Sequence, residues 1–231
     1  MSDILKNLLK EGTLAANIEL TDCQLDKFEK FYEYLIEKNK VMNLTAITDE
    51  REVVYKHFID SIALISQIDL DGKKVIDVGT GAGFPGIPLA IVLSNTQFLL
   101  MDSLNKRINF LNEVKEICDL ENVSTVHARA EELGRNTQYR EKFDVCVSRA
   151  VANMSTLLEY CVPFVKVGGI FVSYKSGEVM DELIAAENAQ KQLFCKKKAI
   201  IKFGLPNTNI NRSFVLFEKK KELNKKLWLK H

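Results

Sequence analysis

The sequence predicts an α/β protein: a seven-stranded, mostly parallel sheet with a C-terminal antiparallel hairpin, preceded by an N-terminal helical extension. Three observations carry this prediction. From Lys73 onward, short apolar runs alternate with longer segments of helical period, the pattern of a parallel sheet with helices on both faces. The last two runs, Ala199–Phe203 and Ser213–Glu218, are joined only by Gly204–Arg212. That is too short for a crossover helix, so the two must pair antiparallel. Ahead of Lys73 the signals are helical.

In the N-terminal part, Thr21-x-x-Gln24 has the form of a capping box, and Leu25, Phe28, Tyr32, Leu35 and Ile36 follow at helical spacing. Asp49-x-x-Glu52 opens another helical run, with Val54, Phe58, Ser61 and Ile65 on one face. Asn43–Thr48 between them is the only stretch that reads as loop. Beyond it, Lys73–Val78, Gln97–Met101, Val123–His127, Phe143–Val147 and Ile170–Tyr174 are the strands expected to alternate with helices. Ser103 ahead of Ile108, Leu111 and Ile117, and Pro85 near the start of an apolar stretch, are helix-start signals. Residues 1–70 are therefore expected to form a helical extension packed on the core, and residues 71–231 the main domain. There are no repeats and no low-complexity linker, only a lysine-rich tail from Lys219 that reads, from Lys225 on, as a frayed, solvated helix.

A chain of 231 residues suits one domain with an extension. Its 46% hydrophobic residues suffice for a core, and 27% charged residues make an ordinary surface. The formal net charge of +1 provides no global field for a polyanion, so any such binding must rest on local patches. Five cysteines lie far apart, with no C-x-x-C and no histidine at ligand spacing, which favours reduced thiols over disulfides or zinc. No apolar run approaches the roughly 18 residues of a membrane span, and the N-terminus lacks a signal peptide's apolar stretch. A cytoplasmic monomer without metal is expected.

Cofactor choice turns on Val75-Ile-Asp77-Val-Gly79-Thr-Gly81-Ala-Gly83-Phe84-Pro-Gly86, where the first strand meets the first core helix. Glycines there let backbone approach a ligand closely. Gly81-Ala-Gly83-Phe-Pro-Gly86 also fits the dinucleotide fingerprint G-x-G-x-x-G. That frame begins late relative to the apolar run ending at Val78. Asp77 at the strand end suits the amino-acid portion of a sulfonium donor better than a pyrophosphate. The closing hairpin and the lack of a second substrate domain also disfavour a dehydrogenase. The balance falls to S-adenosylmethionine and a Rossmann-like, class-I methyltransferase fold. Asp102, at the end of the second strand, would hold ribose hydroxyls in either case. Ala130 and Glu131 can present an N–H and a carboxylate to an adenine edge, or Glu131 can be a first-turn acid favoured by the helix dipole. Arg149, after the fourth strand, can hold the donor's carboxylate or the incoming substrate, or make a surface salt bridge.

At these residues the chain resembles the glucose-inhibited-division B family, the small-subunit ribosomal RNA guanine-N7 methyltransferases. The matching stretches are Asn43-Leu-Thr-Ala-Ile, Lys56-His-Phe-x-Asp-Ser61, the loop from Asp77 to Pro88, Asp102 to Phe110, Ala128-Arg-Ala-Glu131 and Ser148-Arg-Ala-Val151. The resemblance implies donor contacts at Gly79, Phe84, Asp102, Ser103, Ala130, Glu131 and Arg149. It also implies transfer to N7 of one guanine in 16S ribosomal RNA, near the decoding region.

That chemistry asks little of acids and bases. Guanine N7 carries a free lone pair at neutral pH, so no general base and no catalytic residue in that sense is expected. Alignment and a pocket tolerant of positive charge are needed instead. The chain has no Asn/Asp-Pro-Pro-aromatic motif for exocyclic amines and no Pro-Cys for pyrimidine C5 after the fourth strand; Cys146, between valines, reads as core. A small molecule or a protein as acceptor is the alternative, and a non-catalytic binding module a further one. His57 reads as structural more than as a substrate contact, with Lys56 and Asp60 equally placed to shape a pocket. Cations for RNA are expected among Lys175, Lys196–Lys198, Lys202, Arg212 and the tail lysines. Near-neutral charge suits an enzyme that reads a folded RNA or an assembling small subunit by shape.

Overall fold

The computed structural model describes residues 3–150 and 152–223. Val151, which ends one of the motifs above, and the tail from residue 224, with Lys225, Lys226 and Lys230, lie outside the described residues.

The chain opens with α1 (Asp3–Ala15) and α2 (Asp22–Met42). A third helical stretch starts as α3 (Glu50–Val53), turns π-helical over Val54–Ile59, and closes as α4 (Asp60–Ile62) and a 3-10 turn at Ala63–Ser66. The capping signals work as expected. Thr21 Oγ1 accepts from Gln24 N, and the Gln24 side chain accepts from Thr21 N at 2.9 Å. Asp49 accepts from Glu52 N at 2.9 Å. The segment 43–48 is loop, but so is 16–21, which contained too few turn residues to stand out.

Strands and helices then alternate: β1 (Lys74–Val78), α5 (Gly86–Val92), β2 (Gln97–Asp102), α6 (Asn105–Ile117), β3 (Val123–His127), α7 (Ala130–Leu133), β4 (Phe143–Ser148), α8 (Met154–Cys161) and β5 (Val165–Lys175). Two short helices, α9 (Met180–Ala185) and α10 (Glu187–Gln192), precede the hairpin of β6 (Cys195–Gly204) and β7 (Asn211–Lys219). The sheet has seven strands in the order β3-β2-β1-β4-β5-β7-β6. The first five are parallel, and β7 runs antiparallel between β5 and β6. Ser103 does not cap α6: Leu104 holds the cap position, and Asp102 Oδ1 takes its N–H at 2.9 Å.

Alternation along the buried strands sends side chains to opposite faces. Val75, Leu100, Val145 and Val172 pack into one cluster with Leu9, Phe28, Phe31 and Phe58 of the N-terminal helices and with α5 and α6. Ile76, Leu99, Cys146 and Phe171 pack on the other face with Leu157, Leu183 and Ala189 of α8, α9 and α10. Cys146 is wholly buried within β4, in agreement with its reading as core. Among the described residues no helix is long and apolar enough to cross a membrane.

Candidate functional site

The loop after β1 is built from backbone hydrogen bonds. Gly79 and Thr80 donate to Met101 O at 2.9 and 3.1 Å, and Gly83 and Phe84 donate to Thr80 O at 2.9 Å each. Gly79 has φ +74°, a conformation that L side chains rarely adopt. It lies on the lining of a cavity of about 390 Å³, together with Asp102 and Ser103 at the end of β2 and Ala130 and Glu131 after β3. Met101, Ala128, Leu157 and Tyr160 supply further wall. A Cβ at Gly79 would meet only Ala150 Cβ, at 3.5 Å.

Four predicted contacts, Asp77, Gly81, Phe84 and Arg149, lie off this lining, and Arg149 lines a second cavity instead. Asp77 is fully buried beneath the loop. Its Oδ2 accepts from Gly86 N at 2.9 Å, while Oδ1 and the neighbouring Thr80 hydroxyl have no hydrogen-bond partner. Total burial pushes the Asp77 carboxyl up to about 7, against the pull of the Gly86 N–H. Rather than facing a donor's amino-acid portion, Asp77 braces the loop. Gly86 must be glycine for that contact, because a Cβ would fall 2.2 Å from Leu100 Cδ2 and 2.8 Å from Asp77 Oδ2. Gly81, at φ +62°, donates its N–H to Asp102 Oδ2 at 3.0 Å. Phe84 is buried under that second cavity. Asp102 does line the first cavity, but its carboxylate is already committed. Beyond Gly81 and Leu104, it binds Arg107 Nη1 at 3.1 Å.

The second cavity, about 690 Å³, opens beside the first and shares Ala150 and Ala152 with it. It gathers His57 and Asp60 of the third helical stretch, Arg149 after β4, Lys175 at the end of β5 and Arg212 of β7, with Lys56, Tyr174 and Glu182. Asp60 lies between two guanidinium groups, with Oδ2 on Arg149 Nη1 and Oδ1 on Arg212 Nε, each at 3.2 Å. Arg149 also donates to Lys56 O at 3.1 Å and contacts His57 Nδ1 from Nη2 at 3.1 Å. It is thus an interior ion pair rather than a surface one. A guanidinium only donates, so Nδ1 must accept and the proton sits on Nε2. Nε2 then donates to Thr45 Oγ1 at 2.9 Å. Burial, reinforced by Arg149, takes the imidazole down to about 3, so it is neutral. Phe84 completes the group, stacking on His57 at 4.5 Å between centroids with Arg149 over its ring at 5.0 Å.

The π-helical segment explains this convergence. Its wider turn lets Lys56 O, His57 and Asp60 all reach one arginine. Lys175 is not a free cation: it binds Glu182 Oε2 at 2.7 Å and Ala152 O at 2.9 Å. Lys202 pairs with Glu178 at 3.0 Å, and Lys196–Lys198 stand exposed on the outer strand β6. Sequence reasoning missed Glu182, Thr45 and Tyr174. Thr45 lay within a recognised motif, whereas Glu182 sits among several acids near α9 with nothing to mark it. The cavity expected to tolerate positive charge is lined by four cations, Lys56, Arg149, Lys175 and Arg212, against two carboxylates, Asp60 and Glu182. Among the described residues no group of three or more His, Cys, Asp or Glu side chains is placed to hold a metal ion.

Comparisons with known proteins identify the family. A family model described as rRNA small subunit methyltransferase G matches residues 24–211. A protein of Lachnoclostridium phytofermentans named ribosomal RNA small subunit methyltransferase G is 50% identical over 216 residues, covering 93% of this chain and 89% of that one. Its namesake in Acetivibrio thermocellus is 49% identical over 215 residues, covering 93% and 88%. Among solved structures, M. jannaschii TYW2 in complex with AdoMet superposes with a TM-score of 0.54 at 17% identity, over 70% of this chain and 76% of that chain. A SAM-dependent O-methyltransferase of Thermotoga maritima gives 0.54 at 15%, over 82% and 72%. These structural likenesses establish the methyltransferase fold, and the sequence matches establish the family. The chain belongs to the rRNA small subunit methyltransferase G (GidB) family.

Proposed function

We propose that this protein transfers a methyl group from S-adenosylmethionine to N7 of a guanine in small-subunit ribosomal RNA. The observation that carries the reading is the pair of cavities meeting at Ala150 and Ala152, one behind the glycine loop and one over a fixed network of charges. The relatives' shared name supplies the ribosomal RNA.

The first cavity suits the donor in size and in chemistry. Its volume of about 390 Å³ falls within the usual range for small-molecule sites. The glycine at its lip keeps a Cβ out, and carboxylates stand at the ends of two strands as a ribose and an amine require. When bound, S-adenosylmethionine supplies an electrophilic methyl group on a sulfonium centre. Gly79, Asp102, Ser103, Ala130 and Glu131, which line the cavity, would hold it. Asp77, Gly81 and Phe84 act from beneath, by holding the loop and the Arg149 network in place. Arg149, Lys175, Arg212 and His57 belong to the substrate side.

No proton leaves guanine N7 on methylation, and His57 has none to take: Nδ1 is occupied by Arg149 and Nε2 by Thr45. That supports a positioning mechanism, in which the chain aligns two reactants and excludes alternatives. We read residues 1–70 as an extension that supplies one wall of the acceptor cavity through Lys56, His57 and Asp60, and residues 71–231 as the methyltransferase domain. We also read the protein as a monomer that needs no metal and works in the cytoplasm on the RNA or the assembling subunit.

Incubation with isotopically labelled methyl donor and under-methylated small subunits tests this reading. Label should enter the RNA. Label that instead enters a ribosomal protein or a small molecule supports the alternative acceptor and overturns the proposal.

A further inference from the structure

We infer that Glu182 and Lys175 together read the Watson–Crick edge of the target guanine, and that Glu182 is the specificity-determining residue. This rests on the guanine-methylating reading above. A guanine that presents N7 to the donor cavity carries its other polar atoms outward in a fixed order: O6, then N1–H, then the N2 amine. The complement is a donor next to the transfer point and a carboxylate beyond it.

The second cavity has that order. From the wall shared with the donor cavity, Ala152 O is followed by Lys175 Nζ at 2.9 Å, and Lys175 by Glu182 Oε2 at 2.7 Å. An ammonium has three protons, and two are used here. The third can meet O6. Among the described residues the carboxylates that line the cavity are Asp60 and Glu182. Asp60 is excluded as a reader, because each of its oxygens is already held by an arginine at 3.2 Å. Glu182 Oε1 accepts no hydrogen bond among the described residues, and it is free to take N1–H and the N2 amine.

Adenine mismatches both positions. It would set its amine against the ammonium and a bare ring nitrogen against the carboxylate. The Lys175 side chain is only 11% exposed and that of Glu182 36%, so a base entering the cavity removes most of the remaining water and sharpens the discrimination. The contact also favours the reaction. Methylation at N7 makes the purine cationic and its N1–H a stronger donor, so the bond to Glu182 gains strength as the methyl group arrives.

The test compares Glu182→Gln with wild type on two RNAs, one with guanine at the target position and one with inosine, which lacks the N2 amine. Wild type should prefer guanine by about ten-fold in kcat/KM, in keeping with a bidentate base contact. Glu182→Gln should lose about ten-fold or more on guanine, bring the guanine-to-inosine ratio close to one, and bind the methyl donor as wild type does. A merely structural role would lower both substrates together and leave the ratio unchanged. An unchanged ratio in Glu182→Gln, or no preference in wild type, overturns the inference alone. A wild-type enzyme that leaves guanine N7 unmethylated removes the underlying reading as well.

Discussion

Gly79 and Gly81 share a backbone problem and differ in surroundings. Their φ angles are +74° and +62°, so any side chain at either position carries a similar strain, about 1–2 kcal/mol. Only Gly79 lines the donor cavity, whereas a Cβ at Gly81 has nothing within 4 Å. The pair therefore separates strain from obstruction. Gly79→Val should reduce donor affinity by at least ten-fold in calorimetric titration, while Gly81→Ala should lower the melting temperature and leave affinity within about two- to three-fold. Equal losses of affinity in the two variants would contradict the assignment of the cavity. Asp77 shows where reading single residues stops. Its identity and position were legible, but a carboxylate at a strand end reads the same whether it faces a ligand or turns inward. Only the packing of Gly86 and Leu100 around it decides for the interior.

The third helical stretch is the element on which the acceptor cavity depends. Periodicity foretold a common face for Val54, Phe58, Ser61 and Ile65, and the structure buries the first three and half-buries Ile65. It could not foretell the π-helical turn, because one residue of extra winding leaves the apolar spacing almost unaltered. That turn presents His57 as a neutral acceptor, with a pKa taken down to about 3 by burial. The sign of its linkage to stability follows. The folded-state value lies below the unfolded value of 6.5, so the stabilisation from His57 is present above pH 6.5 and is lost as pH falls toward 3. The His57 ring proton resonances should accordingly show no titration between pH 5 and 8, and the pH–rate profile should show no step attributable to it. A midpoint near 6.5 would contradict the Arg149 contact. Strand extents show the same division. The cores of β5 and β6 stood out as apolar runs, but their ends at Lys166–Gly169 and Lys196–Lys198 did not. Lys196 and Lys197 are exposed and carry no hydrophobic signal although they pair with Glu218 and Phe217 of β7, and residues 166–169 lie in a register shift against β4 that no apolar run marks.

Across the whole molecule, the mostly parallel sheet and the reversed hairpin followed from alternation and connection length, whereas the strand order and the two-cavity arrangement did not. Contacts such as Arg149–Asp60 and Tyr174–Ser61 join residues 89 and 113 positions apart, and no local spacing encodes them. The family motifs marked the members of the network without saying how they meet. The N-terminal helices and one sheet face bury a common core, so the wall holding Lys56, His57 and Asp60 is fixed against the strand ends that surround the donor. This rigid placement is what a positioning mechanism without acid or base requires. The central claim is the atom that receives the methyl group. The most direct measurement reacts under-methylated small subunits with the protein and methyl donor, then cleaves the RNA by chemistry selective for N7-methylguanine. Strand scission at a single guanine, dependent on both protein and donor, is the predicted result. Methylated RNA that resists this cleavage would contradict the account.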